Sequence, residues 1–74
     1  MRVRISRSAR KHRLSAGRIR QALSSATLVR EEVDAAVYIG TDSTGVEIEM
    51  VVVADDRSDG FTVIHAMPTV WRQR

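Results

Sequence analysis

The apolar residues of this chain follow two periods in turn. Ile19, Ala22, Leu23 and Ala26 recur at i, i+3, i+4 and i+7 behind Ser15, a good N-cap, and this stripe predicts an amphipathic helix. Leu14, just ahead of the cap, is placed to staple onto Ile19. Arg18, Arg20, Gln21, Ser24 and Ser25 take the opposite face. Nearer the N-terminus, Val3 and Ile5 alternate with Arg2 and Arg4, the pattern of a short edge strand with its cationic side in water. Ser6 or Ser8 then caps a short helix running through about Lys11 or His12.

Beyond the longer helix the period falls to two. Thr27 to Arg30 either begins a strand or completes the helix. Ala35 to Gly40 reads as a strand, the Thr41-Asp42-Ser43-Thr44-Gly45 cluster as a turn, and Val46 to Val53 as a strand that starts half-exposed and ends apolar on both sides, hence central. Asp55 to Gly60 is a second polar turn, and Phe61 to Met67 is a last strand that Pro68 stops or bends. Two successive hairpins make an antiparallel meander. The expected architecture is one α+β domain over residues 1–74, with two N-terminal helices packed on one face of an antiparallel sheet of three to four strands. The other face is left at least partly open.

A chain of 74 residues without cysteine excludes a disulfide scaffold, a multidomain enzyme and a cysteine zinc site. Its longest apolar run, Met50 to Ala54, is too short to span a bilayer, and no apolar segment near Met1 resembles a secretory signal. A cytoplasmic protein with no membrane association is expected. Charge is strongly segregated: residues 1–30 hold nine Lys/Arg and no acid, and residues 31–59 hold all nine Asp/Glu against Arg57 alone. Arg72 and Arg74 make the C-terminus basic again. A field with one positive end concentrates polyanions, so a nucleic acid or an acidic protein is the expected class of partner.

Metal chemistry finds little support in two histidines with no His-x-x-x-His spacing, and Asp55, Asp56 and Asp59 lack the regular spacing of a cation-binding loop. No phosphate-cradling glycine loop and no nucleophile elbow occur. What the residue types do suit is cleavage of RNA without a metal or cofactor, because the 2′-hydroxyl is the substrate's own nucleophile. The protein then supplies only in-line positioning, cations for the phosphoryl oxygens, and a general base and acid. His12, His65, Lys11, Arg10 and Arg72 are of the required types.

His65 has two open orientations. Strict alternation puts it with Phe61, Val63 and Met67 and sets Ile64 and Ala66 opposite. If that first face is the core, His65 is a hydrogen-bonded core histidine; if it is the open face, His65 points at ligand. Lys11 and His12 sit between Arg10 and Arg13 at a helix end, where cations also complement the helix dipole. Trp71, beside Arg72 and Arg74, either grips a base or folds back onto the core. Tyr38 either orients a proton or packs.

The order Lys11-His12-Arg13-Leu14-Ser15, an amphipathic helix, two hairpins, then Val63-Ile64-His65-Ala66-Met67-Pro68 and a basic terminus resembles the BrnT branch of the RelE/ParE-type bacterial toxins. Lys11, His12, Leu14 and Ser15 match that family's Lys-His-Gly-hydrophobic-Ser pattern, with Arg13 in place of the glycine. The resemblance implies two N-terminal helices on an antiparallel sheet, a metal-free ribonuclease, and neutralisation by an antitoxin encoded beside it. It further implies Lys11, His12, His65 and Arg72 as catalytic residues; from the basic segments themselves, Arg10, Arg13, Arg18, Arg20, Trp71 and Arg74 are the candidates to hold RNA. A homodimer or a toxin–antitoxin hetero-oligomer fits the exposed edge strands. Two other classes remain open at this point: a non-catalytic module that binds nucleic acid or an acidic partner, and a gyrase-directed toxin.

Overall fold

The computed structural model describes residues 2–10, 14–55 and 60–70. The chain runs through strand β1 (Arg2–Ile5), a single 3₁₀ turn (Ser8–Arg10), helix α1 (Ala16–Ser24), and strands β2 (Thr27–Glu31), β3 (Ala36–Thr41), β4 (Glu47–Asp55) and β5 (Gly60–Pro68). Helix α1 starts where its cap dictates. Ser15 is extended, and its Oγ accepts the Arg18 N–H at 3.1 Å. Ile19 and Ala22 bury the stripe, with Leu14 packed beneath the N-terminus. At the other end the Ser25 hydroxyl meets both the N–H and the carbonyl of Thr41, tying the helix exit to β3.

The five strands form one sheet in the order β1-β5-β4-β3-β2. β4 is central, as its apolar run requires, and β1 is an edge strand. Neighbours pair antiparallel except β1, which runs parallel to β5, with Val3 opposite Phe61 and Ile5 opposite Val63. The turn between β3 and β4 uses Gly45 at φ 88°, a backbone conformation that glycine adopts without steric cost.

The α+β class stands, but two finer expectations are corrected. Among the described residues there is one α-helix, not two, and of the expected first helix they show a single turn at Ser8–Arg10; its expected continuation to Lys11 or His12 lies outside the described residues. Ser6 Oγ caps the turn by accepting the Ala9 N–H at 3.2 Å, and Ser8 Oγ donates to the Ile64 carbonyl at 2.8 Å, which ties the turn to β5. The sheet has five strands and is mixed, not a three- to four-stranded antiparallel meander. Thr27–Glu31 becomes a strand on β3, and β1 closes the opposite edge alongside the last strand.

Helix α1 and the 3₁₀ turn cover one face, where Ile48, Met50, Val52, Val63 and Ala66 meet Ala9, Leu14, Ile19 and Ala22 in the core. No described element crosses the other face.

Candidate functional site

The orientation of His65 is decided by a bulge. Val51 faces His65 and Val52 faces Val63, so β5 carries one extra residue, Ile64, between them. Val63 and Ala66 therefore both reach the core, although they are three residues apart, while His65 and Met67 share the side away from α1. Strict alternation had grouped Val63 with His65; the bulge separates them. The ladder register then assembles the rest of this face. Glu49 pairs with Met67 and stands diagonally to His65, and Arg4 pairs with Thr62 on the parallel edge strand. Val51 lies beside His65 on the same face, and Val37 and Ile39 of β3 continue it as an apolar flank beyond Glu49.

Glu49 is 6 % exposed on this face, and Arg4, Glu49 and His65 are each engaged with a partner in the structure. A carboxylate, an imidazole and a guanidinium thus stand on three adjacent strands of one sheet face, beside an apolar flank. These are residue types that bind phosphate and transfer protons. Glu49 and Arg4 were not singled out from the sequence, because each reads there as the polar half of an alternating strand. Only the strand order, with β5 between β1 and β4, makes them neighbours of His65.

Arg10 belongs to the 3₁₀ turn, which is fastened to the bulge itself. The Ser6 N–H bonds the Val63 carbonyl at 3.0 Å, and Ser8 bonds that of Ile64. Arg10 is exposed at this corner, and Lys11, His12 and Arg13 follow it in the chain but lie outside the described residues, as do Trp71, Arg72 and Arg74. Arg18 and Arg20 lie on α1, in the layer on the far side of the sheet from His65. Arg18 has a structural task. Its Nε sits 2.7 Å from Asp42 Oδ2, clamping the β3–β4 turn to the helix. Asp42, 5 % exposed, also accepts the Thr44 hydroxyl at 2.7 Å and the Thr44 and Val46 N–H groups. The Thr44 hydroxyl above all, then Arg18 and the two N–H groups, hold its carboxyl well below the usual carboxylate range against the opposing effect of burial. Tyr38, on the helix side, packs against the core.

No family model, no curated protein and no solved structure matches the chain. The reading of this face therefore rests on its residues. Among those described, no helix is long and apolar enough to cross a membrane.

Proposed function

We propose that the protein is the toxin of a type II toxin–antitoxin pair, a BrnT-like, metal-independent endoribonuclease that cleaves RNA by attack of the 2′-hydroxyl. The observation that carries this reading is the placement of His65, Glu49 and Arg4 on one sheet face. In this mechanism Arg4 binds the phosphate, Lys11 and Arg72 help neutralise the charge that builds on the phosphoryl oxygens, and Arg10 holds the RNA chain. His65 transfers a proton at the 2′-hydroxyl or at the departing 5′-oxygen, with His12 as its complement. Glu49 fixes the imidazole's orientation.

The chemistry balances without a co-reactant. The 2′-oxygen bonds to phosphorus, the bond to the 5′-oxygen breaks, one proton leaves the 2′-hydroxyl and one reaches the leaving oxygen, and the products are a 2′,3′-cyclic phosphate and a free 5′-hydroxyl. RNA is the substrate and a cognate antitoxin the protein partner. Incubation of the purified protein with labelled single-stranded RNA in EDTA tests the proposal: cyclic-phosphate ends are expected, and intact RNA that is nonetheless bound favours a non-catalytic binding module.

A further inference from the structure

Helix α1 does not cover the whole of its sheet face. Past its C-terminal turn lies a groove of about 840 Å³, floored by Val52 and Ala54 and flanked by Leu23 and Tyr38 on one side and Val3 and Phe61 on the other. Its lip is the end of β2 and the β2–β3 loop, with Glu31, Glu32 and Asp34, and among the described residues no Lys, Arg or His lines the groove. Glu32 is paired with Arg30 at 3.0 Å, whereas Glu31 and Asp34 form no ion pair among the described residues. The last turn of α1 has no basic residue, so its carbonyl end adds negative potential at the same mouth. Apolar surface continues outward from the groove: Val33 at the loop tip is 99 % exposed, Phe61 39 %, and Leu28 on the free edge strand 46 %.

We propose that this groove docks a cationic amphipathic helix of a partner protein, with an aliphatic stripe in the groove and Lys or Arg flanks against Glu31 and Asp34. Apolar contact supplies affinity and the acidic lip selects the sign of the flanks. The extension of apolar surface over Val33 and Leu28 fits a polypeptide footprint larger than the cavity. RNA is repelled by the lip. A second copy of this chain offers no matching segment from α1, because the outer side of that helix holds Arg18, Arg20, Gln21 and Ser24, while its apolar stripe, Ile19 and Ala22, is buried underneath. The inference is independent of the nuclease reading, since the groove lies on the opposite side of the sheet from His65.

The test uses the full chain and two fluorescent helical peptides with the same leucine stripe, one flanked by lysines and one by glutamates. The lysine peptide is expected to bind more tightly, with NMR shifts concentrated at Leu23, Ala54 and Phe61. The double variant Glu31→Lys/Asp34→Lys should weaken it by roughly tenfold, the scale of two exposed attractions reversed, and move the preference toward the glutamate peptide. Equal binding of the two peptides, shifts confined to the His65 face, or a dimer in sedimentation that protects Phe61 and Val33 would overturn the proposal.

Discussion

Gly40 and Ala22 meet backbone to backbone, for a Cβ built on Gly40 would lie 1.8 Å from the Ala22 carbonyl oxygen and 2.7 Å from its carbonyl carbon. This contact sets how closely α1 approaches β3. No side chain can give way at that point, so any larger residue pushes the helix off the sheet.

Gly40→Ala is therefore expected to cost about 2 kcal/mol or more, the scale of a poorly relieved overpacking. In a domain of this length that lowers Tm by roughly 10 °C. Gly17→Ala, on α1 with only Ser15 Oγ near at 3.9 Å, is the opposite case. There the gain in helix propensity should raise Tm by a few degrees, about 0.5–1 kcal/mol. Thermal unfolding of both variants checks the pair of signs.

Asp42 makes acid stability a further readout of α1 docking. Its folded-state pKa is depressed, so the stabilisation is fully present above the unfolded carboxylate value, about 3.9, and is lost as pH falls through the folded value. Asp42→Asn should lower Tm at pH 7, and the gap to wild type should narrow as the pH is taken below 4. A gap that stays constant down to pH 2 contradicts the role given to Asp42.

Ser8→Ala removes the hydroxyl that satisfies the Ile64 carbonyl at the bulge. Since water reaches this exposed bond, the stability loss should be modest, about 0.5–1.5 kcal/mol. RNA cleavage should fall several-fold at the same time, because the bulge aims His65. Full activity in Ser8→Ala would separate the bulge from the site.

Binding should also respond to salt in a residue-specific way. Each phosphate contact to single-stranded RNA contributes a slope of about −0.7 in log K against log salt. Arg4→Ala and Arg10→Ala should each reduce the slope by about that amount, as read by fluorescence anisotropy over a salt series. An unchanged slope in both variants would place the RNA elsewhere.

Local grammar made much of this fold readable in advance. The Ser15 cap and the stripe from Ile19 to Ala26 locate α1 because both signals act within a few residues. Gly45 with Asp42 marks its turn, and the doubly apolar stretch to Val53 marks the central strand. What stayed hidden is non-local. The extra residue at Ile64 leaves no trace in a strand apolar on both sides, yet it decides which way His65 points. The parallel docking of β1 depends on the whole chain having folded, and with it the neighbourhood of Arg4, His65 and Glu49. The groove beside Phe61 exists because a nine-residue helix is shorter than the sheet it covers, and no local pattern reports that difference.

The most direct test of the nuclease reading compares wild type with His65→Ala and Glu49→Gln on one labelled single-stranded RNA in EDTA, scoring rate and product ends. Wild type should release 2′,3′-cyclic phosphate ends. Loss of a proton-transfer group should slow His65→Ala by roughly 10²–10⁴. Glu49→Gln should be slowed less, and all three proteins should keep their fold by circular dichroism. Cleavage by His65→Ala at the wild-type rate, with the same product ends, would contradict the account.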